Sequence, residues 1–185
     1  MCCERAIVTT ESKHPLVEIM ALAAPDRAAL TEAVELAARD PESYVRERHW
    51  IDLEPADEFV WEALYDQLSE PSDDGDTLLA IFDWKDDADT IHSGLFYLGS
   101  CPEELDWEWF PARVSAMKGD HPGDVAQSLI SEIGERSHTL GFSLLNIARG
   151  DSYVLFFVPT AVGQHILRLA DSAGRARDIE VIRKR

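Results

Sequence analysis

Cysteine is scarce in this chain: Cys2, Cys3 and Cys101 are the whole supply. Three thiols, two of them adjacent, exclude a disulfide framework and lead us to expect a reducing, cytoplasmic setting. Long apolar runs are missing too. None nears the roughly 20 residues that span a bilayer, and no basic leader followed by an apolar stretch opens the sequence. Base is the third deficit, with 17 Lys and Arg against 35 Asp and Glu, a formal net charge of -18. That balance argues against a nucleic-acid partner, because neutralising phosphates takes Lys and Arg. It argues equally against an anionic membrane surface.

Catalytic signatures are also lacking. There is no G-x-S-x-G elbow, and Cys101 beside Pro102 has no nucleophile's context. The six histidines stand singly, so no H-E-x-x-H zinc helix exists. Neither a G-x-x-x-x-G-K-[ST] loop nor a strand-linked G-x-G-x-x-G is present to cradle phosphate. The acidic runs 73–76 and 83–89 hold enough carboxylates for a divalent cation. Neither has the alternating spacing, glycine and terminal Glu of a calcium loop. Charge runs are more often solvated faces, so no metal and no cofactor are expected.

What is present is a chain of 185 residues, 45% hydrophobic, enough for one good-sized core. Residues 1–14 read as a flexible tail and 15–185 as a single domain. After an apolar stretch at 16–24, a helix is expected from Pro25-Asp26 to Asp40, with Leu30, Val34 and Ala37 on its inner face. A shorter helix follows over 42–49. Pro55 opens another, in which Val60, Trp61, Leu64, Tyr65 and Leu68 recur at helical spacing. A loop at 71–76 precedes a strand over 77–84, and a helix after Asp86 buries Ala88, Ile91, Leu95 and Leu98. The segment 99–111, bracketed by prolines, reads as a short helix or an ordered loop. A long helix spans 122–140. Strands 142–148 and 152–159 are separated by so few residues that they must form a hairpin. A helix over 161–172 and a strand at 178–183 complete the chain. The sum is an α+β fold with a small, mainly antiparallel sheet of about four strands and helices packed on it.

The most unusual stretch is 50–109. It holds all five tryptophans and eighteen acids against a single base, Lys85. Aromatic rings supply contact area at interfaces, and a one-signed field steers oppositely charged partners. Each ring has a plainer reading as core. Trp61 lies inside a helical stripe and is expected to be buried, and Trp84 ends a strand and is expected to fill the edge of the same core. Trp50, Trp107 and Trp109 lie in less periodic, acidic segments where half-exposed rings are expected. In an extended chain, Asp106-Trp107-Glu108-Trp109 would put both rings on one face and both acids on the other. The candidate partner-binding residues are therefore Trp50, Asp83, Trp84, Asp86, Asp87, Asp89, Asp106, Trp107, Glu108 and Trp109.

A resemblance adds to this reading. The run Leu78-Leu79-Ala80-Ile81-Phe82-Asp83-Trp84-Lys85-Asp86-Asp87 with its following helix, and the hairpin Ser143 to Pro159, are similar to an uncharacterised family of small acidic bacterial cytoplasmic proteins. Chains in this style resemble immunity proteins of polymorphic toxins, which are stand-alone, acidic and α+β, and neutralise a toxin by binding it. The resemblance covers roughly 55–183 and carries no catalytic residue with it. It implies a non-enzymatic protein whose partner is basic, a cognate toxin or effector domain. Two alternatives remain open at this point: a small metal-assisted hydrolase using 83–89, and an acidic nucleic-acid mimic.

Overall fold

The computed structural model describes residues 13–48, 56–72 and 75–183. Helix α1, Pro15–Ala23, begins where the tail was expected to end, with Pro15 in its first turn and the His14 ring nitrogen accepting the Leu16 N–H at 3.3 Å. The apolar stretch after residue 15 is thus a helix in its own right, with Leu16, Val17, Ile19 and Met20 all buried. Helix α2 runs Ala28–Arg39, not from Pro25. The chain turns at 25–27, where the Arg27 N–H bonds the Ala24 carbonyl at 3.1 Å, because Pro25 cannot continue α1. Helix α3, Pro41–Arg48, and helix α4, Ala56–Ser69, follow.

Strand β1 is Ala80–Asp83, and helix α5 is Ala88–Phe96. Helix α6, Phe110–Ala116, has Pro111 in its first turn, so that proline starts a helix instead of closing a loop. Helix α7, Pro122–Thr139, leads to the hairpin of β2, Phe142–Ile147, and β3, Ser152–Pro159. Gly150 takes φ 58° in the connection, a left-handed value that glycine adopts without strain. Helix α8, Thr160–Ser172, and strand β4, Ile179–Val181, are the last elements described.

The four strands lie in the order β1-β3-β2-β4, every neighbouring pair antiparallel. The fold is α+β, as expected. The expected helices cover both faces of the sheet, and β3 shows why. Val154, Phe156 and Val158 point to one side, against residues of α1, α2, α4 and α8. Leu155 and Phe157 point to the other, against α5, α6 and α7. A strand apolar on both faces needs cover on both. A third, smaller cluster joins α2, α3 and α4 around Tyr44 and Phe59. There the Tyr44 hydroxyl donates to Asp66 at 2.9 Å, and the fully buried Gln67 donates to the Tyr44 oxygen at 3.0 Å. Burial, with Asp66 alongside, pushes the Tyr44 phenol above its ordinary range.

Candidate partner-binding surface

The corner between β1 and α5 is built by its aspartates. Asp83 accepts the Lys85 N–H at 3.2 Å, and Asp86 accepts the Asp83 N–H at 2.8 Å. Asp87 is the N-cap of α5 and accepts the Thr90 N–H at 2.7 Å. Hydrogen bonds from Thr90 hold the Asp87 carboxyl below the usual carboxylate range. Asp89, in the first turn, suits the positive end of the helix dipole. Three of the four acids singled out here therefore shape the turn as well as charging it. Asp, unlike Glu, is short enough to reach its own neighbouring backbone.

This corner forms one wall of an open groove of about 640 Å³ whose other wall is the α6–α7 region. Ala88, Val114, Met117 and Val125 give it an apolar lining, while Asp86, Asp87, Asp89 and Asp120 supply carboxylates. Lys85 and Lys118 also line it. Trp84 stands beside the groove, and here the expectation is corrected: the ring is 40% exposed and does not fill the core edge. It stacks on His121 at 5.8 Å, with 8° between the planes, and lies over Gly123. A Cβ on Gly123 would come within 2.8 Å of the ring, so the close approach depends on glycine.

Residues 106–109 form an ordered loop that turns into α6, one of the two readings expected for 99–111, so the alternation an extended chain would give does not arise. Asp106 accepts the Glu108 N–H at 2.8 Å, the Phe110 N–H bonds the Trp107 carbonyl at 3.0 Å, and the Trp109 indole N–H bonds the Asp106 carbonyl at 2.8 Å. The two rings consequently part company. Trp109 lies under the Arg136 guanidinium, 4.2 Å from its ring centre. Arg136 pairs with Glu132 at 2.9 Å, and Glu132 also pairs with Arg113 at 3.2 Å. Trp109 is thus held in a cross-brace on α7. Trp107 instead packs against His92 and Phe96 of α5, at 4.8 and 6.1 Å between ring centres. Both are half-buried, as expected. Trp61 is buried at 5%, also as expected, and Trp50 lies outside the described residues.

The sequence reading missed Val114, Met117 and Asp120 of the groove, and Phe96 and Tyr97, which are 45% and 78% exposed. Tyr97, just past the end of α5 and outside its apolar stripe, was the available signal. Among the described residues, no three of His, Cys, Asp or Glu gather as a ligand set for a metal. Cys101 is half-buried, and burial pushes its thiol up to about 11, which keeps it protonated and a poor nucleophile.

Fold and surface together define the class: an α+β protein with a helix-covered antiparallel sheet and an acidic groove with an apolar lining. Residues 15–180 match the model of a domain of unknown function, DUF6630, and the chain belongs to that family. No curated protein and no solved structure matches it significantly.

Proposed function

We propose that this protein is a non-enzymatic, cytoplasmic binder of a basic protein, acting as an immunity protein acts on its toxin. The observation that carries the reading is the groove beside α5, where carboxylates accompany an apolar lining. A basic segment laid there keeps its methylenes against Met117 and Val114 and its charged heads against the aspartates. The net charge of -18 draws such a partner in, while apolar and aromatic contacts set how long it stays. Among the described residues no helix is long and apolar enough to cross a membrane.

The test is kinetic, against the partner captured from the native host. Reversing Asp86, Asp87 and Asp89 together to Lys should slow association at least about tenfold at low salt and flatten its salt dependence. Unchanged kinetics would remove the groove from the interface.

A further inference from the structure

Among the described residues, five aromatic rings carry a cation of their own. Arg149 stands 4.0 Å from the Tyr65 ring centre and Arg136 4.2 Å from that of Trp109. Arg175 is 5.6 Å from Trp61, and Arg48 and Lys85 are each 5.9 Å from Tyr44 and Trp84. One aromatic cluster departs from this pattern. Phe96 meets Tyr97 edge-on at 5.0 Å and Trp107 at 6.1 Å, yet among the described residues no Lys or Arg stands over any of the three. Its surroundings are nonetheless acidic: Glu103, Glu104, Asp106 and Glu108 are all exposed. Beside the cluster lies a recess of about 280 Å³, walled by Phe96 and Trp107, with Leu98, Pro102 and Leu105 as apolar lining and Glu103 as its one charged residue. That volume falls below the roughly 300–1,000 Å³ of small-molecule sites, and it suits a single inserted side chain.

We infer that this recess takes an arginine side chain of the basic partner. Its methylenes lie on the apolar lining, its guanidinium stacks on the exposed rings, and Glu103 accepts its N–H groups. Arginine fits better than lysine, because a planar, weakly hydrated head can stack and pair at once. The recess rests on the reading of the chain as a binder of basic protein. It adds a second anchor on α5, which carries the groove at its first turn and Phe96 at its last.

The probe is an Arg-Gly repeat peptide, titrated while the indole N–H resonances of Trp107 and Trp84 are followed. The Trp107 resonance should shift saturably, and the citrulline counterpart, isosteric but uncharged, should leave it in place. Phe96→Ala and Glu103→Gln, both at exposed positions of the lining, should each weaken the peptide about threefold. Wild-type affinity in both variants overturns the recess. A peptide that shifts Trp84 but not Trp107 overturns the recess while the groove reading stands. Silence at both indoles overturns the two together.

Discussion

At the scale of single residues, the acids of 83–89 serve two purposes, and Asp87 shows how to separate them. Its carboxyl is held below the ordinary Asp value of 3.8, chiefly by the Thr90 backbone N–H. A pKa depressed in the folded state means that the folded protein binds this proton less readily than the unfolded chain does. The stabilisation is therefore in place above the unfolded value and is lost as pH falls through the folded one. Asp87→Asn keeps a capping oxygen but removes the titration. The wild type should exceed Asp87→Asn in melting temperature at pH 7, and the gap should close on acidification below about pH 3.8. A gap that persists at acid pH would mean that the carboxylate's charge is not its source. Asp87 was visible in the sequence as an acid before a helix. Its partner was not, since a hydrogen bond has a direction that composition lacks. Trp84 makes the same point: strand-end position suggested core, but the ring turned outward onto His121 because Gly123 left room for it.

At the scale of elements, regular periodicity was readable and irregular segments were not. Helices α4 and α7 lie where their apolar stripes put them, since a helix is stabilised mainly by the one face it buries. Helix α6 was obscured because Pro111 serves equally to break a helix and to begin one. How α7 lies against β4 was also beyond sequence. Gly134 is buried against Ile182, and a Cβ there would sit 2.6 Å from the Ile182 carbonyl oxygen. The obstacle is backbone, which cannot rotate aside as a side chain can. Gly134→Ala should therefore destabilise the protein by about 1–3 kcal/mol, an overpacking cost, despite alanine's better helix propensity. Urea unfolding would measure it, and hydrogen exchange should show the Ile182 N–H, bonded to Leu144 at 2.9 Å, losing protection first. A stabilised variant would mean that the helix can withdraw freely.

At the scale of the whole molecule, the charge is the dominant fact. Residues 1–120 carry 28 acids and 9 bases, while 121–185 carry 7 and 8. Several of the bases are committed within the fold: Arg48 to Glu70, Arg149 to Glu62, Arg136 and Arg113 to Glu132. The remaining acid excess repels itself, which favours expansion and is relieved by screening. Raising NaCl from about 10 mM to about 0.5 M should therefore raise the melting temperature, and a flat or falling curve would show that self-repulsion is not a significant cost. The same field that strains the compact state is what would hasten a basic partner's approach.

The amino-acid sequence by itself determined the types of the periodic elements, the hairpin, the acidic polarity and the buried place of Trp61. Each of these follows from neighbours along the chain: periodicity, turn length, composition. Only the tertiary structure decided which helices would cover each face of β3, and that Trp107 and Trp109 would turn to different neighbours. It alone brought Met117 and Asp120 opposite Asp86–Asp89, and left Phe96, Tyr97 and Trp107 without a cation of their own among the described residues. Such facts depend on which distant side chain arrives at a given surface, and that is set by packing across the sheet.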